Sequence, residues 1–454
     1  MLNNITSDID KYIKLFESNI LLDKEESPFL QVYISEKKEQ STNSIYYFSP
    51  KKFANNVDFE DIGEQLCDLL KTYETFTFKE CHNICISSDI SGLSMNSVLS
   101  GFLLTYFNCN MYKTNIKKSN IKFKFLLSQK EKELFLEEKE ILKSILITRC
   151  LSLMSTNDLN INNYIAFIQS LFHGSNVSVD ILDPDDHNLS LLSAVGRCAI
   201  QKPKMLILKL GKDPDTAFVG KGIMYDTGGL SLKPSNSMDT MYYDMTGSAV
   251  ALNTMYSLRH SSNINFYSIL VLAENAIGPN AYRPGDIIKS RCGKTVEIGN
   301  TDAEGRLALA DGAHYASKEL NCKNIICMGT LTGAVVSALG TEYAGLICNN
   351  NVLQKQIIKS WNKVGEKIHA LPADENYEAL LKSSRADINN IGNKEAGTIT
   401  AWLFIKMLCE PNINYAGIDI AGSLGRKFRC PKGFLSNCYC VKAMNQFIVD
   451  TCLI

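Results

Sequence analysis

Residues 217–229 read AFVGKGIMYDTGG. The run is apolar enough to be a strand buried on both faces of a sheet. Yet Lys221 stands in its middle and Asp226 at its end, directly before Gly228 and Gly229. A buried charge is costly unless it is paired or bound to metal, so the reading turns on what surrounds this strand. KMLILKL (204–210), NFYSILVLAEN (265–275), NIICMGTL (324–331) and YAGIDIAG (415–422) read as buried strands too. GSAVALNTMYSLRH (247–260) and TITAWLFIKMLCE (398–410) read as helices between them. This alternation specifies an α/β protein with a mixed, largely parallel central sheet flanked by helices. Functional groups in such sheets gather at the carboxyl ends of strands, which is where Asp226 stands.

The chain has 454 residues, and a prior of about 150 residues per domain gives two or three domains. Residues 1–128 read as a small N-terminal α/β domain, with VYISEK (32–37) and KFKFLLS (122–128) as strands and FEDIGEQLCDLLKTY (59–73) as an amphipathic helix. Residues 129–150 read as a connecting helix with a solvated, charged face, and 151–454 as the larger domain that carries the chemistry. A formal net charge of −1 offers no handle for nucleic acid or an anionic membrane. The 15 cysteines are scattered, and the pair Cys438 and Cys440 has no second pair at zinc-site spacing, so they read as reduced thiols. No secretory signal pattern and no run of about 18 apolar residues is visible, and a cytoplasmic location without a membrane partner is expected.

A second charged segment, NTDAEGRLALADG (300–312), places Asp302, Glu304 and Arg306 at alternate positions before an apolar run. Acids favour a helix N-terminus, which is the ordinary explanation for such a stretch. Lys221, Asp226, Lys233 and Asp244 likewise have ordinary explanations one by one, as strand-edge and loop charges. Taken together, Asp226, Asp244, Asp302 and Glu304 form a set of four carboxylates. Converging on one spot they would repel and raise one another's pKa values unless cations lay between them. Two divalent ions would suit them, with shared carboxylates bridging the pair as in two-metal hydrolysis. A lysine amine ligates metal only when neutral, and adjacent dications depress its pKa toward that state.

Both segments resemble those of the leucine aminopeptidase family, the cytosol aminopeptidases that carry two metals. NTDAEGR is present unbroken, and VGKG, DTGG, SLK and DM follow the family's first signature, with successive spacings of 5, 7 and 11 residues from Lys221 to Asp226, Lys233 and Asp244. AENAIGPNAYRPGD (273–286), GKTVE (293–297), TLTGA (330–334), NNIG (389–392), AGTITA (396–401) and DIAG (419–422) also match, so the likeness covers about 190–454. The resemblance implies a metallo-aminopeptidase that releases the N-terminal, leucine-like residue of peptides. By it, Lys221, Asp226, Asp244 and Glu304 hold the tighter ion, and Asp226, Asp302 and Glu304 the more exchangeable one. The ions implied are zinc, manganese or magnesium. Lys233 meets the scissile carbonyl, Arg306 holds a bicarbonate that serves as general base, and Asp244 helps receive the substrate amine. Met241, Asn300, Thr330, Leu331 and Gly333 match positions lining the substrate cleft. A homo-hexamer is implied as well.

The chain departs from the family pattern at four places. Thr246 replaces a glycine beside Asp244, Gly417 replaces a histidine before DIAG, RCPKGF (429–434) alters a glycine-rich end, and MSTNDLN (154–160) replaces an expected turn. None is a proposed ligand. Among competing classes, CGKT (292–295) suggests a phosphate loop, but the glycine required five residues before Gly293 is Ile288. A DNA-binding or scaffold role lacks a basic stretch. A silent structural homologue is opposed by retention of Lys221, Asp226, Lys233, Asp244, Asp302, Glu304 and Arg306.

Overall fold

The computed structural model describes residues 2–18, 20–21, 30–34, 41–42, 45–48, 66, 83–88, 94–107, 111–114, 122–393, 395–425 and 440–453. The chain divides into two compact units, one centred on residues 3–146 and one on 147–427 with 434–454. The helix Gln129–Leu153 runs from the first into the second. No described helix is long and apolar enough to cross a membrane.

In the first unit a six-stranded sheet runs in the order Ile20–Leu21, Lys122–Leu126, Asn83–Ser88, Leu30–Ile34, Ile45–Phe48, Ser41–Thr42. Its pairings are parallel except that between the last two strands. Residues 32–34 of VYISEK and 122–126 of KFKFLLS thus fall on strands, and residues 35–37 lie outside the described residues. Of the helix expected over 59–73, only Leu66, helical and buried, is among the described residues.

The second unit is built on an eight-stranded sheet. Its order is Ile368–Leu371, Ala344–Cys348, Asn414–Asp419, Asn324–Gly329, Thr216–Asp226, Phe266–Asn275, Lys204–Leu210, Val177–Leu182. The four central strands, from Asn414–Asp419 to Phe266–Asn275, are mutually parallel, and antiparallel strands flank them on both sides. The fold is therefore the expected mixed α/β architecture. Thr216–Asp226 is buried almost throughout because sheet neighbours and helices cover it on every side. Helix Thr246–Leu258 is likewise buried over nearly its whole length. The core joins this sheet to the helices Ser190–Gly196, Glu304–Lys318 and Gly397–Met407. The edge strands Val177–Leu182 and Ile368–Leu371 and the short interior strand Ala344–Cys348 lie beyond those read from the sequence, since such short segments lack a long apolar run.

A small three-stranded sheet of Ile287–Lys289, Thr295–Glu297 and Ile388–Asn389 sits apart from the main one. CGKT forms the turn between its first two strands, with Gly293 at φ +93° and Lys294 donating to Met407 O at 2.8 Å. It is a hairpin turn, not a phosphate loop. Cys198, Cys292, Cys322, Cys327, Cys348, Cys409, Cys440 and Cys452 are free thiols. Cys438 and RCPKGF lie outside the described residues.

Candidate active site

Residues five apart in a regular strand face opposite sides of a sheet, so Lys221 and Asp226 should not meet. The strand solves this with an irregularity. Ala273 lies opposite Ile223, but Asn275 lies opposite Asp226, so three steps on one strand match two on the other. Such a bulge re-phases the alternation and returns Asp226 to the side of Lys221. Gly228 and Gly229 follow at φ +82° and +63°, in the left-handed region that glycine adopts without strain. The chain reverses there, and Lys233 N–H donates to Thr227 O at 3.0 Å. Lys233 Nζ then lies 2.9 Å from Asp226 Oδ2 and 2.5 Å from Asp302 Oδ1.

Lys221 is the buried hub of the other half. Its Nζ lies 2.8 Å from Asp244 Oδ2 and 3.0 Å from Glu304 Oε1, and donates to Thr330 O at 2.8 Å. Thr330 Oγ1 donates to Asp244 Oδ1 at 2.7 Å. The lysine stem runs through a channel floored by glycines. A Cβ on Gly305 would come within 2.5 Å of Lys221 Cε, and one on Gly329 within 2.8 Å of its Cβ. The glycine of NTDAEGR is therefore the clearance for a lysine more than eighty residues earlier in the chain.

The helix behind NTDAEGR begins at Glu304, so Asp302 and Asn300 belong to the loop before it. Asn300 Oδ1 accepts the Asp302 N–H at 2.7 Å. Asn390 braces the loop from outside. Its Oδ1 accepts the Gly299 and Asn300 N–H groups at 2.8 and 3.2 Å, and its Nδ2 donates to Asn300 O at 2.7 Å. Asn275 Nδ2 donates both to Asp226 Oδ1, at 2.8 Å, and to Thr301 O, at 3.0 Å, which ties the two carboxylate-bearing segments together.

One oxygen each of Asp226, Asp302 and Glu304 come within 4.8 Å of one another. Burial, reinforced by Glu304, pushes Asp226 up to about 6 against the pull of Lys233 and Lys221. Burial and Glu304 raise Asp302 as well. Burial raises Asp244 although Lys221 opposes it. Burial works against the charge of Glu304 too, but Lys221 and Lys233 outweigh it and hold Glu304 below its ordinary range. Burial also disfavours the Lys221 ammonium, yet Asp244, Glu304 and Asp226 hold it well above its usual range. That proton leaves only when other cations take up the carboxylate charge. The donor set fits divalent ions on a structural test: four carboxylates face two ammoniums, and Glu304 Oε2 is buried without a hydrogen-bond partner.

Arg306 is buried, and its Nη1 donates to Asn390 O at 2.9 Å. Its Nε is buried without a partner. Burial lowers the guanidinium to about 10, while Glu304 and Asp419 support its charge. A desolvated guanidinium with an unmatched N–H suits a small planar anion.

Of the expected cleft residues, Thr330 lies within the centre itself. Met241 opens the short 3-10 turn Met241–Tyr243, and its carbonyl accepts the Asp244 N–H at 3.3 Å. Asn300 shapes the Asp302 loop. Leu331 N–H donates to Asp419 Oδ1 at 3.2 Å, and Gly333 starts the short helix Gly333–Leu339 with open space where a Cβ would stand. The Thr246 hydroxyl is used within the fold, donating to Tyr243 O at 2.6 Å with Ser152 Oγ 3.1 Å away. Asn275, Asn390 and Asp419 are the organising residues that residue-by-residue reading passed over. All three lie inside segments that match the family pattern, but only their bonding reveals their work.

Residues 146–439 match the model of the cytosol aminopeptidase family, catalytic domain. The chain is 36% identical over 372 residues to the cytosol aminopeptidase of Rickettsia prowazekii (strain Madrid E), covering 78% of this chain and 74% of that one. A probable cytosol aminopeptidase of Rickettsia bellii (strain OSU 85-389) is 36% identical over 392 residues, covering 80% and 76%. Another from Phytoplasma australiense is 37% identical over 367 residues, covering 77% and 74%. Among solved structures, the bottromycin maturation enzyme BotP in complex with Mn shares the fold, with a TM-score of 0.79 at 24% identity and coverage of 89% and 90%. These likenesses put the protein among the hydrolases that act on peptides. The chain belongs to the cytosol aminopeptidase family.

Proposed function

We propose that this chain is a two-metal aminopeptidase that removes the first residue, leucine-like by preference, from peptides with a free N-terminus. The observation carrying this reading is the meeting of Asp226, Asp302 and Glu304 within 4.8 Å, beside the partnerless Glu304 Oε2. Lys221, Asp226, Asp244 and Glu304 would hold the tighter ion, and Asp226, Asp302 and Glu304 the more exchangeable one. Zinc, manganese or magnesium are the ions proposed, and the complex of BotP with Mn supports the second. Bound divalent ions supply Lewis acidity and a water of lowered pKa.

The chain's own groups supply the rest. Lys233, the more exposed of the two lysines, would present its ammonium to the carbonyl oxygen of the scissile bond, which gains negative charge as the bond is attacked. Asp244 would receive the substrate α-amine and so restrict cleavage to the first peptide bond. Arg306 would hold bicarbonate as the general base, a role for which no neighbouring side chain is suited. Met241, Asn300, Thr330, Leu331 and Gly333 would line the cleft. A cytoplasmic homo-hexamer with closed symmetry is proposed as the assembly.

The test is hydrolysis of leucine amide by exhaustively chelated protein. Activity should vanish, return with manganese or zinc, and rise when bicarbonate is added to carbonate-depleted buffer. Full activity after chelation overturns the metal reading, and indifference to bicarbonate overturns the base. Light scattering at a monomer mass, with full activity, overturns the hexamer.

A further inference from the structure

Where the family resemblance leads one to expect a histidine before DIAG, this chain has Gly417, and an indole occupies the space. Gly417 and Asp419 are two residues apart on the strand Asn414–Asp419, so they share one face of the sheet. Trp402, fully buried on the helix Gly397–Met407, lies over that face. A Cβ on Gly417 would come within 2.5 Å of Trp402 Cδ2 and 2.9 Å of its Cγ, closer than side chains pack. Glycine at 417 is therefore a condition for tryptophan at 402. Seated there, Trp402 donates its indole N–H to Asp419 Oδ2 at 3.3 Å.

Asp419 is completely buried, and it serves the turn that follows the strand Asn324–Gly329. Its Oδ2 accepts from Thr332 Oγ1 at 2.8 Å, and its Oδ1 accepts the N–H of Leu331 and of Ala421, each at 3.2 Å. Thr332 in turn caps the helix Gly333–Leu339, accepting the Val335 N–H at 3.2 Å. The residue before this pair, Thr330, is bonded to Lys221 and Asp244. A carboxylate with four donors and no water access keeps one orientation only while all four are present.

We propose that Trp402, seated on Gly417, is a positioning residue for the substrate cleft. Its indole N–H fixes Asp419, Asp419 fixes Leu331 and Thr332, and the resulting shape sets which first side chains are accepted. The proposal rests on the aminopeptidase reading, in which Leu331 and Gly333 line that cleft.

Trp402→Phe keeps most of the ring and removes the donor, while Gly417→Ala keeps the donor and displaces the ring. Each is compared with the wild type for metal content, melting temperature, and kcat and KM on leucine amide and alanine amide. Both variants should keep their metals and show the ratio of kcat/KM for leucine over alanine amide shifted about tenfold, as loss of one buried hydrogen bond warrants. An unchanged ratio in Trp402→Phe overturns the proposal, even where both activities fall together. A second measurement needs no turnover. The chain has two tryptophans, so Trp361→Phe leaves Trp402 as the sole indole emitter. Adding L-leucine to that variant should shift its emission, and a silent Trp402 overturns the proposal. Failure of the wild type to hydrolyse either amide would instead sink the aminopeptidase reading, whatever the emission does.

Discussion

Glu304 and Asp311 are buried carboxylates two turns apart on one helix, and their surroundings drive them in opposite directions. Glu304 faces Lys221, with Lys233 near, and is held below its ordinary range. Asp311 Oδ2 accepts the N–H groups of Leu191 and Leu192, both at 2.9 Å, and burial still pushes it up to about 7. Backbone dipoles can fix where a carboxylate sits without keeping it charged in a dry interior. Full cations do both. An acid's burial alone therefore does not mark chemistry. The convergence of opposite charges around it does.

The sharpest way to break this contrast is to neutralise each acid in turn. Glu304→Gln keeps the shape but loses the charge shared between two proposed ions, so activity on leucine amide should fall to background and metal content should drop. Asp226→Ala should do the same. If either variant retains two metals and wild-type kcat, the centre is misassigned.

The two lysines come next. Lys221→Arg should load metal poorly, because a guanidinium stays protonated and has no lone pair to give. The glycine channel around Lys221 leaves it no room besides. Lys233→Ala should keep both metals and lose on the order of 10²–10³ in kcat, the usual cost of one oxyanion donor. Metal content by mass spectrometry beside kcat separates them, and two metals per chain in Lys221→Arg would invert the assignment. Arg306→Ala should lower kcat strongly with little change in KM. A raised KM at unchanged kcat would remove the anion from the scheme.

The smallest effect belongs to Asp311. Its folded pKa of about 7 lies above the ordinary 3.8, so its contribution to stability is complete below about pH 4 and is lost as pH rises through 7. Asp311→Asn can still accept the two N–H bonds but cannot ionise. Its melting temperature should fall less between pH 5 and pH 8 than that of the wild type, with activity within about twofold. Equal pH slopes would mean Asp311 is not titrating.

Much of the centre was legible because charge inside apolar runs is rare and costly. Lys221, Asp226, Asp302 and Glu304 announce themselves that way, and the central strands follow from long runs such as KMLILKL. Edge strands such as Ile368–Leu371 were not, since four residues carry too little pattern. Nor were Asn275 and Asn390, polar residues whose importance lies in bonds to groups distant in the chain, Asp226 and Thr301 for the first and the backbone of 299 and 300 for the second. Trp402 and Gly417 were the hardest, because a missing histidine gives no hint of what fills its place.

The bulge opposite Ala273 makes this enzyme sensitive to counting and not only to identity. Removing one residue, Met224 or Tyr225, would let the strand pair regularly with Phe266–Asn275 and would leave the sheet its hydrogen bonds. Asp226 would then stand four residues from Lys221, an even count that keeps the two on one face. Thr156 Oγ1 donates to Met224 O at 3.2 Å, a lateral pin on the surplus residue that comes from the segment 154–160, which departs from the family pattern. Inserting one residue beside Met224, with the bulge kept, should yield a folded protein whose Asp226 faces away from Lys221, so in this strand the reading frame of the pleat is itself inherited information.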